Sequence, residues 1–151
     1  MRQALKLEAD AAPFVDDYLL YLLAAASSSL SGKFHQHVKQ QDANVNEWRV
    51  LACLVDRPGL MLTELAGFVL YEQSRLSKIV DRMELQGLVA RTKTADDRRK
   101  VLIQITPKGR KIVEPLIEAA RRHETDSAQC LDGSEIDALK NALKKLIRSN
   151  G

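Results

Sequence analysis

Glu72-Gln73-Ser74-Arg75-Leu76-Ser77-Lys78-Ile79-Val80-Asp81-Arg82-Met83-Glu84-Leu85-Gln86-Gly87 decides how the chain is read. Leu76, Ile79, Val80 and Met83 recur at spacings of three and four, which places them on one stripe of a helix facing a core. Arg75, Lys78 and Arg82 keep the same spacing on the opposite side, with Ser74 and Ser77 between them. Cations and small hydroxyls therefore project together into solvent. A guanidinium can hold a guanine edge bidentately, and lysine or serine can hold phosphates, so this face suits the major groove of a duplex. Gly87 is the expected end of the helix, because glycine enters the left-handed cap conformation cheaply.

On the N-terminal side, Leu62, Leu65, Ala66 and Val69 predict a short amphipathic helix a few residues upstream, which is helix-turn-helix spacing. On the C-terminal side, Leu88-Val89-Ala90-Arg91 reads as a strand. Val101-Leu102-Ile103-Gln104-Ile105 reads as its partner, with Val101, Ile103 and Ile105 on one face. Residues 92–100 between them are too polar to bury and end in cations, so they predict a hairpin wing. Residues 63–106 thus form a DNA-reading head.

These residues resemble the MarR family of winged-helix regulators. The resemblance is strongest at the wing, where Asp97-x-Arg99 precedes residues 101–106 and then Pro107-Lys108-Gly109. Leu76-Ser77-Lys78-Ile79-Val80-Asp81-Arg82-Met83-Glu84-x-x-Gly87-Leu88-Val89 is similar to the family's recognition helix and its exit. Trp48-Arg49-Val50-Leu51 and Leu65-Ala66 also sit where such proteins have them. Ile105 stands in place of the usual leucine, and Met61 in place of a frequent capping Ser or Thr. The resemblance implies a mainly α fold with a small β-hairpin wing: a winged helix-turn-helix lobe over residues 45–106, with dimerisation helices over 13–38 and 107–149. It implies a non-catalytic transcriptional regulator, most often a ligand-responsive repressor, that binds a pseudo-palindromic operator as a homodimer. By the same resemblance Arg99 enters the minor groove at the wing tip, oriented by Asp97 and flanked by Arg98; narrow A·T-rich grooves attract an inserted arginine. An Asp–Arg ion pair within the hairpin, worth little, is the plainer alternative.

At 151 residues the chain is one domain's worth, with a formal charge of only +3. The excess is local. Arg91, Lys93, Arg98, Arg99 and Lys100 face only Asp96 and Asp97 across the wing, which suits a docking surface. Cys53 and Cys130 make neither a disulfide framework nor a zinc spacing, and fit a reducing cytoplasm. Residues 18–26 are apolar but lack a basic leader and are too short to span a bilayer, so no membrane is expected.

Residues before Pro13 show no steady period and predict a loose arm. Val15, Tyr18, Leu19, Leu22, Ala26, Leu30 and Phe34 predict one long helix from Phe14 to about Val38. Asn44-x-x-Glu47 resembles a capping box opening the next helix, whose buried stripe is Trp48, Leu51, Leu54 and Val55; Arg57-Pro58-Gly59 stops it. Thr106-Pro107 starts another helix, with Ile112, Val113, Leu116 and Ala120 in its stripe to about Cys130. Asp132-Gly133-Ser134-Glu135 opens the last, which carries Ile136, Leu139, Leu143, Leu146 and Ile147. The terminal helices have little core of their own, so a second copy of the chain is expected to cover their seams.

Other chemistries are less well supplied. His35 and His37, two apart, point to different faces of a helix, and His123-Glu124 completes no ligand set, so no metal or cofactor is expected. Cys53 lies beside a buried stripe as a small hydrophobe. Cys130 is the better redox candidate, but Asp126 and Asp132 nearby disfavour its thiolate. A redox- or metal-sensing regulator of the same fold, or a protein-interaction module, are the alternatives. Asp81, Glu84, His35 and Ser77 offer acid–base groups to an enzyme, yet no nucleophile elbow, phosphate loop or zinc-protease motif accompanies them. In related regulators small aromatic acids bind where the dimer helices meet the head. Tyr18, Tyr21, Trp48 and Arg49 are the corresponding residues, with Arg49 able to hold a carboxylate.

Overall fold

The computed structural model describes residues 13–151, so the expected N-terminal arm lies outside the described residues. The chain divides into two compact units, one ending at His37 and the other running from Val38 to Gly151. Each is described by itself.

In the first unit the expected single helix is broken near its start. Phe14–Asp17 is a 3-10 turn after Pro13, and Tyr18 is extended at ψ 114°. Tyr18 N–H bonds back to the Val15 carbonyl at 3.3 Å, and the Phe14 and Tyr18 rings stack at 4.8 Å. The helical ladder cannot run through an extended residue, so α1 (Leu19–Gln40) begins afresh after it. Leu19, Leu20, Tyr21, Leu22 and Leu30 along it are exposed.

The second unit holds the head. α2 (Val45–Leu54) is capped by Asn44, whose side chain accepts from Asn46 N–H at 2.8 Å. The cap forms two residues into the helix rather than as the expected reciprocal box with Glu47. Pro58 and Gly59, the latter at φ 146°, then turn the chain. α3 (Leu62–Val69) starts without a capping side chain on Met61; instead Glu64 reaches back to accept the Met61 N–H at 2.8 Å, which compensates for the missing hydroxyl. α4 (Gln73–Leu85) ends as expected at Gly87, φ 73°, where Leu88 N–H bonds to the Met83 carbonyl at 2.9 Å.

β1 (Val89–Lys93) and β2 (Val101–Ile105) pair antiparallel, Val89 opposite Ile105 and Lys93 opposite Val101. Leu60 adds a third strand-like rung by exchanging both backbone bonds with Ile103, at 3.1 and 2.8 Å. No local pattern forecast that rung. The core beneath is continuous: Val50, Leu51, Leu54, Leu65, Leu76, Val80, Met83, Ile103 and Val113 draw α2, α3, α4, the hairpin and the helix that follows it together. Each large aliphatic among them contributes roughly 1.5–3 kcal/mol by leaving water.

α5 (Pro107–Ser127) corrects the expectation that the C-terminal helices lack a core. Thr106 caps it, accepting Gly109 N–H at 3.1 Å, but Val113, Leu116 and Ala119 are buried, and Val113 belongs to the head's core. The first half of α5 is therefore part of the head, while Ile112, expected in the buried stripe, is exposed. The helix ends at Ser127, short of Cys130, and carries an interior proline, Pro115, on its exposed side. α6 (Gly133–Asn150) opens with both halves of the expected box: Asp132 accepts from Ser134 and Glu135 N–H, and Glu135 accepts from Asp132 N–H. Leu139, Leu146 and Ile147 on α6 are exposed. No helix among the described residues is long and apolar enough to cross a membrane.

Candidate nucleic-acid interface

Two elements present the cations. α4 buries Leu76, Ile79, Val80 and Met83, so its other face turns Ser74, Arg75, Lys78 and Arg82 outward; Ser77, at the boundary between the stripes, is half-buried. The core stripe thus fixes the rotation of the helix and with it the cationic face.

The wing is braced rather than loose. Arg91, counted among the free wing cations from sequence, instead pairs with both Asp81 and Glu84 on α4. Burial opposes its charge, but the hydrogen bonds to Asp81 and Glu84 outweigh that and hold its pKa above the ordinary arginine value. The same pairing occupies the carboxylates that an acid–base reading would have used. On the other strand, Gln104 accepts from the Thr92 hydroxyl at 2.9 Å and donates to the Pro58 carbonyl at 2.8 Å. The hairpin is thereby pinned to α4 on one side and to the turn after α2 on the other.

At the tip, Thr94 N–H bonds to the Lys100 carbonyl, Lys100 N–H to the Asp97 carbonyl, and the Thr94 hydroxyl donates to the Asp97 carbonyl at 2.7 Å. Asp97 reaches Arg99 at the main chain: its carboxylate accepts the Arg99 N–H at 2.9 Å. An Asp side chain that closes its own turn in this way leaves the guanidinium out of the contact. Arg98, Arg99 and Lys100 are exposed.

Arg75 is exposed and yet held. Its guanidinium lies over the Tyr71 ring, 4.2 Å from the centroid, and donates to Asn46 Oδ1 at 3.2 Å. Arg49, expected to wait for a carboxylate, donates to the Tyr71 hydroxyl at 3.3 Å and sits 5.6 Å from the same ring. The sequence reading missed Tyr71 and Asn46; the spacing of four between Tyr71 and Arg75 was the one available sign. Trp48, half-buried, packs against the head's core on α2. Tyr18 and Tyr21, the other two candidate effector residues, belong to the first unit, where both are exposed.

Sensing chemistry finds less support. Among the described residues no group of three or more His, Cys, Asp and Glu could hold a metal ion. His37 stacks on Phe34 at 6.1 Å. Burial pushes the Cys53 thiol up, against a smaller lowering by Arg57, so the nucleophilic thiolate is disfavoured. Cys130 is exposed and free.

A crystal structure of a MarR family transcriptional regulator from Silicibacter pomeroyi DSS-3 matches with a TM-score of 0.79 at 44% identity, over 90% of this chain and 99% of that one. The chain belongs to the MarR family. The family model itself matches residues 43–101, from the start of α2 to the second wing strand. The homoprotocatechuate degradative operon repressor of Escherichia coli is 32% identical over 94 residues, 62% of this chain and 63% of that protein. The transcriptional repressor CouR, solved bound to a 23-mer DNA duplex, is 27% identical with a TM-score of 0.75, covering 88% of this chain and 94% of that one. The fold is accordingly the MarR winged helix, and the relatives are transcriptional regulators.

Proposed function

We propose that this MarR family member is a sequence-specific DNA-binding regulator that acts as a homodimer on a pseudo-palindromic operator, most simply as a ligand-responsive repressor. The observation that carries it is the rigid pairing of two cationic elements: the α4 face of Ser74, Arg75, Ser77, Lys78 and Arg82, and a wing whose tip offers Arg98 and Arg99 on a turn closed by Asp97. α4 enters the major groove and Arg99 the adjoining minor groove. The likeness to CouR, solved on duplex DNA, supports the reading.

Exposed apolar residues on α1 and α6 support a second copy, with residues 13–38 and the later part of 107–149 as dimerisation helices. Two heads would then face successive major grooves about 34 Å apart. The proposed effector is a small aromatic acid. Arg49 would hold its carboxylate by giving up the Tyr71 hydroxyl, beside the aromatic ring of Trp48 on the same helix. A shift of a few ångströms between heads loses one half-site, since groove spacing is fixed. The reading requires no catalysis.

Selection from a random duplex pool, followed by titration of the enriched duplex at several salt concentrations, tests it. Affinity should fall steeply with salt, by roughly 0.9 log units per log unit of salt for each phosphate contact. Arg99→Ala should weaken binding to A·T-flanked sites and leave the oligomeric state unchanged. A flat salt response with no enriched sequence would leave an interaction module as the better account.

A further inference from the structure

Arg49, Tyr71, Asn46 and Arg75 form one unbroken chain of contacts between α2 and α4. Arg49 donates to the Tyr71 hydroxyl at 3.3 Å, that hydroxyl donates to Asn46 Oδ1 at 2.6 Å, and Arg75 donates to the same oxygen at 3.2 Å. One amide oxygen thus uses both of its lone pairs to join Tyr71 to Arg75. The Tyr71 ring itself packs partly buried against the core at the turn between α3 and α4, so it is a fixed platform. The Arg75 guanidinium lies on that platform, 4.2 Å from the ring centroid.

We infer that Tyr71 is a positioning residue for base recognition: with Asn46 it holds the Arg75 guanidinium in one pose at the DNA-facing surface. The inference rests on the DNA-binding reading above. A long exposed side chain loses rotamer freedom when it seizes a base edge, and a guanidinium already stacked and hydrogen-bonded has less to lose. Guanidinium geometry also matters, because a bidentate contact to a base edge needs the planar fork correctly turned. Arg49 completes the device. By donating to the Tyr71 hydroxyl it strengthens that hydroxyl as a donor toward Asn46, since consecutive hydrogen bonds polarise one another.

The test compares the parent with Arg75→Ala, Tyr71→Leu, Tyr71→Phe, Asn46→Ala and the double variant Tyr71→Leu/Arg75→Ala. Each is used to select from a pool of random duplexes, the enriched sequences are counted, and thermal unfolding is followed in parallel. Arg75→Ala should flatten the base preference at one position of each half-site. Tyr71→Leu and Asn46→Ala should flatten that same position by about three- to tenfold while keeping the parental salt dependence. Tyr71→Phe, which keeps the ring in the core and loses only the hydroxyl bonds, should flatten it by a smaller factor. The double variant should match Arg75→Ala alone, because Tyr71 acts through Arg75. Parental preference at that position in both Tyr71→Phe and Asn46→Ala overturns the inference, even where Tyr71→Leu fails to fold. Additive losses in the double variant overturn it too. If Arg75→Ala leaves every position unchanged, the base-reading role of Arg75 is what fails, and the positioning role falls with it.

Discussion

Leu70 closes α3 in the left-handed region, at φ 59° and ψ 42°, with its side chain 86% exposed. A leucine there bears the clash between its Cβ and the following carbonyl oxygen, and gains almost no burial in return. The turn before α4 requires this backbone, so the strain is set by the head's geometry. Leu70→Gly should therefore stabilise the fold by about 0.5–1 kcal/mol, after allowing for the greater freedom of glycine in the unfolded chain. Thermal unfolding would register this as a rise of about 1–4 °C. An unchanged or lower midpoint would mean that the Leu70 side chain makes a contact worth as much as the strain.

The start of α5 depends on an equally local fit. A Cβ on Gly109 would lie 2.3 Å from the Leu88 carbonyl oxygen and 3.1 Å from Leu51, so the helix meets the backbone leading into β1 by way of a missing side chain. Backbone cannot yield as a flexible side chain does. Gly109→Ala should destabilise by about 1–3 kcal/mol through overpacking, read as a lower denaturant midpoint. At α6 the element is set by charge. Hydrogen bonding from Glu135 N–H, with Ser134, holds the Asp132 carboxyl below the ordinary aspartate value. A depressed carboxylate pKa stabilises the fold above the unfolded value, and that contribution disappears as pH falls through the folded one. Helicity of the parent should thus decline on acidification below about pH 4, while Asp132→Asn, which caps without titrating, should lack that part of the transition. Identical acid limbs in both proteins would assign the loss to other carboxylates.

The whole molecule separates a satisfied core from unsatisfied seams. The aliphatics of the head's core cluster are buried, whereas Leu139, Leu146 and Ile147 on α6 stay 48%, 41% and 70% exposed. These apolar residues are where the proposed dimer would close. Leu139→Glu combined with Leu146→Glu should convert the proposed dimer to monomers in sedimentation at micromolar concentration and abolish the proposed operator binding, with the head still folded. Loss of head structure in the same variant would place these residues in the core instead. Net charge acts at this scale as well. The total of +3 is small, but Arg75, Lys78 and Arg82 on α4 and Arg98, Arg99 and Lys100 on the wing are all exposed, where they can steer a polyanion.

Local chemistry made much of the head legible in the sequence. The α4 stripes, the Gly87 stop, the Thr106–Pro107 start and the Asp132 box are all set by residues within a turn or two of each other, and they formed as their spacing predicts. Contacts between distant parts of the chain were beyond that reach. The pairing of Arg91 with Asp81 and Glu84, the Leu60–Ile103 rung and the burial of Val113 depend on how α4, the hairpin and α5 pack. So does the bond from Arg75 to Asn46, which joins residues 29 apart. A sequence fixes which face of a helix is cationic, because the period of the helix is known in advance. Which of those cations is held, and by what, is decided only when separate elements come together around one core.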